Sequence, residues 1–166
     1  MLSGAMKKLL KVFFILCAAC FAAPTTSVAQ PAAISGPQAG LRVERLSIET
    51  PKGVRNFKVE IADTPSSREI GMMWRMQVPR GTGMLFDFKK PAPATFWMEN
   101  TLVSLDLIFI RENGTIANIA ANAAPLSRAL IPSDGPILAV LEIGAGEAMR
   151  LGIKPGQKVS HKIFAR

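Results

Sequence analysis

The sequence predicts a mainly β, single-domain antiparallel sandwich or barrel, jelly-roll-like, with two short helices. Three observations carry that reading. Two runs of alternating apolar and polar residues flank Pro51-Lys52-Gly53, as in a hairpin with one solvated face. Two further runs, LDLIFI (105–110) and ILAVLEI (137–143), are apolar almost throughout and have the length of strands buried on both faces. Only two short stretches, after Thr64 and around Glu147, carry helix signals.

The chain of 166 residues opens on a leader. Lys7, Lys8 and Lys11 form a basic region, Val12 to Ala23 an apolar one too short for a membrane span, and Ser27-Val28-Ala29 a small-residue cleavage site before Gln30. Residues 1–29 therefore read as a signal peptide, and the mature protein as periplasmic or secreted with no transmembrane span after cleavage. Cys20 follows two alanines, but Cys17 stands where a lipoprotein leader has leucine, which argues against lipid attachment. Both cysteines leave with the leader, so thiol catalysis and thiolate metal sites are excluded from the mature chain.

The formal net charge of +8, less the three leader lysines, falls to +5 and is scattered. No basic arm and no aromatic-basic interleaving appears, and no nucleic-acid partner is expected. An apolar fraction of 49% excludes a disordered chain.

Residues 30–40, rich in Pro, Gly and Ala, read as a flexible spacer before a β domain over 41–166. In LRVERLSIET, Leu46 and Ile48 share a face; in VRNFKVEIAD, Phe57, Val59 and Ile61 do. Thr64 is an N-cap and Pro65 the first helical residue of a helix expected to reach about Met73. A strand over 84–88 follows Gly81 and Gly83. Thr95 to Met98 leads into a polar corner at Glu99-Asn100-Thr101. Asn113-Gly114 predicts a type I′ hairpin, residues 125–136 a Pro-bounded loop, 147–151 a helical turn, and VSHKIF a closing strand.

Four ordered motifs carry a resemblance. GMMWR (71–75), GMLF (83–86), FWMENTLVSLDLIFI (96–110) and LEIGAGEAMRLGIKPGQKV (141–159) resemble the bacterial and archaeal family known as domain of unknown function 192. Met72 stands where that family usually has Leu, Glu99 where Lys is common, and Gln157 where an acid is frequent. The resemblance spans about 44–165 and implies a compact, jelly-roll-like β fold. It transfers no activity.

Function must then be read from residue constellations. Met72, Met73 and Met76 are close in sequence, and thioethers suit Cu(I). Methionine is also the adaptable filler of apolar cores, and that role is favoured. His161, the single histidine, is expected on a strand face with Val159 and Ile163; alone it makes no conventional zinc site. No cofactor fingerprint or complete catalytic signature is present.

Asp106 and Glu142 fall at the same end of neighbouring antiparallel strands, beside Asn100 and Thr101, with Arg75 as counter-charge. The favoured reading is structural: Asp106 accepts N–H groups from the 100–104 turn (Asn100, Thr101, Ser104), and Glu142 pairs with an arginine. The expected function is a binding or interaction module, with a small polar site among Arg75, Trp97, Asn100, Thr101, Asp106 and Glu142. It would take a small ligand or an envelope component. The alternative is a hydrolase acting on carbohydrate or cell-wall material through Asp106 and Glu142. A weaker alternative is Cu(I) binding through Met72, Met73 and Met76.

Overall fold

The structure, a computed structural model, describes residues 36–165; the leader, residues 30–35 of the spacer and residue 166 lie outside the described residues. The alternating runs form the expected hairpin, β1 (Val43–Thr50) with β2 (Gly53–Ala62), antiparallel with Leu46 opposite Phe57. Then follow α1 (Pro65–Ile70), β3 (Thr82–Ala92), β4 (Thr95–Phe96), β5 (Leu105–Ile110), β6 (Ile116–Ala123), β7 (Ile131–Pro132), β8 (Ile137–Gly144), α2 (Glu147–Leu151) and β9 (Val159–Ser160).

Seven strands make one sheet in the order β6-β5-β8-β3-β2-β1-β9, and β4 pairs with β7 in a small second sheet. The architecture is mainly β with two short helices, as expected, but two features are corrected. The large sheet is mixed, because β2 and β3 run parallel. A parallel pair needs a crossover rather than a hairpin, and the segment holding α1 supplies it. The molecule is also a curled half-barrel rather than two stacked antiparallel sheets. The segment 157–159 draws the sheet's two edges together at one end. Lys158 O accepts from Glu49 N (2.9 Å), Gln157 O accepts from Ile116 N (2.9 Å), and Val159 N donates to Gly114 O (2.8 Å).

Both faces of the central strands are covered, which is why β5 and β8 read as continuous apolar runs. One face packs Leu46, Ile48, Val59, Ile61, Ile108 and Leu141. The other packs Met84, Phe86, Leu107, Phe109 and Val140 beneath Met72, Met98 and Phe96.

Several local expectations change. Thr64 and Ser67 form a reciprocal capping box, but α1 ends at Ile70 because Gly71 turns the chain at φ 49°. At the Asn113-Gly114 turn, Gly114 N donates to Arg111 O and Arg111 N to Thr115 O. Only Gly114 has positive φ there (77°), so the turn is type I with a glycine bulge, not type I′. A Cβ at Gly114 would also come within 2.7 Å of Val159 O, so the bulge lets the chain end close against it. The closing strand is only two residues long; a 3-10 helix (Lys162–Ala165) replaces the rest. Gln38 of the spacer is held, not free: its side-chain amide donates to Ser67 O (3.0 Å) and Gly71 O (2.8 Å).

Candidate functional site

Glycines set the site's frame. A side chain at Gly83 would collide with the carbonyl oxygen of Glu142, so GMLF lets β3 approach β8 closely at that point. A side chain at Gly71 would come within 3.0 Å of the Phe86 ring, so the chain leaving α1 passes tightly over the aromatic wall.

The wall centres on Phe96, whose ring stands edge-on to Phe86 (5.3 Å), Phe88 (6.2 Å) and Phe109 (5.8 Å). Arg68 of α1 lies over Phe88 at 5.5 Å and donates to Asp87 O at 2.9 Å. Facing them, the turns 71–75 and 97–101 are clamped together: Trp74 N donates to Asn100 O at 2.8 Å. Both residues are left-handed, Trp74 at φ 63° and Asn100 at φ 55°, a costly conformation for a tryptophan. Asn100 Nδ2 also points to Met73 Sδ at 3.8 Å.

Between wall and turns lies a cleft of about 710 Å³. Trp97, Asn100 and Thr101 line it with the aromatic residues, Met72 and Met73, and Glu142 is among its lining residues. Glu142 sits opposite Met84 on one neighbouring strand and Leu107 on the other, and is only 4% exposed. Among the described residues it makes no hydrogen bond and no ion pair. Burial pushes its carboxyl up to about 8, and the Arg75 charge opposes the rise without cancelling it.

Arg75 acts on Glu142 through its charge alone and makes its ion pair elsewhere. Its Nη1 lies 2.6 Å from Glu60 Oε2, its Nη2 donates to Gln38 O (3.3 Å), and its buried Nε is unpartnered among the described residues. It lines a neighbouring cavity of about 310 Å³, and Met72 is among the lining residues of both that cavity and the cleft.

Asp106 lies elsewhere again. Asp106 pairs with Ile143 while Leu107 pairs with Glu142, so alternation sends the two carboxylates to opposite faces of the sheet. Asp106 does anchor backbone, but with other donors than the expected 100–104 turn: Asn122 N (2.9 Å), Gly146 N (3.1 Å) and Ala148 N (2.9 Å). It thereby caps α2, whose own N-cap, Gly146, has no side chain to do so.

Cleft and anchor thus divide the six expected site residues. Trp97, Asn100, Thr101 and Glu142 come together; Arg75 and Asp106 do not join them. Met72 is buried and Met73 half-buried, both lining the cleft, whereas Met76 is 79% exposed and is not among the cleft's lining residues. Among the described residues no group of three His, Cys, Asp or Glu side chains could hold a metal ion. His161 is not on a strand; its Nε2 lies 2.9 Å from Glu44 Oε2, and burial lowers its pKa. The sequence reading missed Arg68, Phe88 and Met73 as cleft residues, although Met73 lies inside the GMMWR motif.

Residues 47–161, most of the chain, match the profile of the family described as DUF192, Uncharacterized ACR. The chain belongs to the DUF192 family. Two solved structures are similar to it. One is a protein from Sinorhizobium meliloti described as a "putative transcription regulator", 41% identical, with a TM-score of 0.73 over 76% of this chain and 98% of that one. Another is a protein of unknown function from Novosphingobium aromaticivorans, also 41% identical, with a TM-score of 0.73 over 84% of this chain and 100% of that one. No curated protein matches. The motifs that carry the DUF192 resemblance are the ones that build the cleft: GMMWR the first turn, GMLF the close approach to β8, and FWMENT the second turn. Among the described residues of this DUF192 chain, no helix is long and apolar enough to cross a membrane.

Proposed function

We propose that this DUF192 domain is a binding module whose ligand site is the cleft over Glu142. The observation that carries the proposal is the bare carboxyl itself. A buried carboxyl group without a donor is costly, and a fold with no use for it is better served by an apolar residue. An apolar, aromatic-lined concavity with one convergent polar group and a shifted pKa is the usual form of a small-molecule site. The left-handed Trp74 and Asn100 on the facing turns add to that reading.

The hydrolase alternative needs Asp106 and Glu142 on one side of a substrate, and the strand register sends them to opposite faces. Scattered positive charge gives no support to a nucleic-acid partner. The leader pattern supports export, with the module working in the periplasm or outside the cell.

Two experiments test this. Backbone amide shifts of the isotope-labelled protein, recorded against a set of small aromatic compounds, should move at 71–73, 96–101 and 142. Perturbations confined to other surfaces, or none, would remove the proposal. Intact mass of protein recovered from the cell envelope should begin at Gln30; retention of residues 1–29 or a lipid on Cys20 would remove the export reading.

A further inference from the structure

The charge arrangement of the cleft narrows the ligand class. Its lining contains three acidic side chains, Glu69, Glu99 and Glu142, against one basic one, Arg68. Arg68 is already engaged, with its guanidinium bound to Asp87 O and lying on the Phe88 ring. Glu99 is balanced from outside the cleft by Arg128, and Arg75, which pairs with Glu60, lines the neighbouring cavity. The most buried polar group of the lining, the Glu142 carboxyl, therefore has no donor to meet it among the described residues. The rest of the lining is mostly aromatic and thioether surface, with Trp97 48% exposed among it.

We infer that the cleft takes an organic cation, a primary ammonium on an apolar or aromatic body. The ammonium meets Glu142 and the body lies along Phe96 and Trp97. This rests on the cleft being a ligand site and adds the chemistry of the ligand. An ammonium supplies the hydrogen-bond donors that Glu142 lacks and a countercharge for its ionised form. Aromatic faces attract a cation where carboxylates alone would leave it poorly covered. A neutral ligand brings no charge to the ionised carboxylate, and an anion is repelled by it.

Ammonium binding in the cleft carries a proton signature. Below the raised pKa of Glu142, about 8, the carboxyl holds a proton that an arriving ammonium must displace into solvent. Apparent affinity then scales with the ionised fraction, which changes about tenfold per pH unit. Arg75 and Glu60, Arg68, Glu69, and Glu99 with Arg128 are the other charged groups around the floor. Of all these groups Glu142 alone is buried without a hydrogen bond or ion pair among the described residues, so Glu142 sets the profile.

The test uses the full chain with 2-phenylethylammonium, its uncharged analogue 2-phenylethanol, and the anion 3-phenylpropionate, by calorimetry with amide shifts locating each compound. The ammonium should bind in the cleft at least about tenfold tighter than the alcohol at about pH 8, and weaken about tenfold per unit down to about pH 6. Glu142→Gln, isosteric and uncharged, should abolish both the preference and the slope. Equal or tighter cleft binding of the alcohol or the acid would overturn the cation inference and leave the binding reading standing. A flat pH profile for the wild-type protein, which needs no variant to fold, would overturn it as well. Failure of all three compounds to perturb the cleft up to millimolar concentration would count against both.

Discussion

Asp106 on β5 and Glu142 on β8 are buried carboxyl groups on neighbouring strands, one register step apart, and they meet opposite surroundings. Asp106 receives three backbone N–H groups from the β6 and α2 segments. Among the described residues Glu142 receives none, and it reaches a cleft. Donors around a buried carboxylate make it an anchor for backbone; their absence leaves an acceptor for something that arrives later. The difference tells apart two residues that look alike in sequence.

Removing the anchor should have the largest effect. Asp106→Ala leaves three buried or half-buried N–H groups without their charged acceptor and should cost about 3 kcal/mol by denaturant unfolding. A variant as stable as the wild type would break the comparison from that side.

Removing the bare acid should act in the other direction and through pH. The folded-state pKa of Glu142, about 8, lies above its ordinary value of 4.5, so in between the folded protein holds a proton that the unfolded chain lacks. Its stabilising contribution is full below the ordinary value and is lost as pH rises to about 8. Relative to Glu142→Gln, the wild type should lose about 2 kcal/mol between about pH 6 and about pH 7.5. The variant comparison matters because other groups titrate too. Glu44, Asp63 and Glu147 are held below the ordinary carboxylate range by Lys162, Lys89 and Arg150 respectively, and their contribution is lost only in acid. His161 is lowered by burial, which makes stability rise with pH through its own range. A stability difference independent of pH would remove the bare-acid description.

Smaller effects sharpen the boundary between anchor and cleft. Met98 is fully buried against the strands of the cleft's floor, and Met98→Leu should cost less than about 1.5 kcal/mol with the fold intact. The sequence suggested that Asn100 and Asp106 share one turn network; among the described residues they have no common partner. Their alanine substitutions should therefore add within about 0.5 kcal/mol in a double-mutant cycle. Coupling well above that would reconnect the two regions.

How much of this the sequence carried follows from the physics of each element. Alternation in 43–61 displays the β1–β2 hairpin, because one face of that ribbon packs on the core while most of the other meets solvent. The runs 105–110 and 137–143 display the buried strands, because both of their faces are covered. Their antiparallel pairing placed Asp106 and Glu142 at one end of the sheet. Which face each carboxyl takes depends on register parity, where a single-residue slip exchanges the faces, and apolar residues on both sides leave no alternation to mark it. The parallel β2–β3 pairing was likewise hidden, since a crossover through α1 is tertiary. Glu99, Asn100 and Thr101 were visible as a polar corner, whereas the left-handed Trp74 that clamps it has no residue-type signal.

The most direct measurement is the titration of the Glu142 side-chain carboxyl by carbon NMR, assigned by its loss in Glu142→Gln. The expected midpoint is about 8 in the free protein, falling when 2-phenylethylammonium is bound. A midpoint in the ordinary carboxylate range in the free protein would show that Glu142 already has a partner, and would contradict the unfilled acceptor at the centre of the cleft.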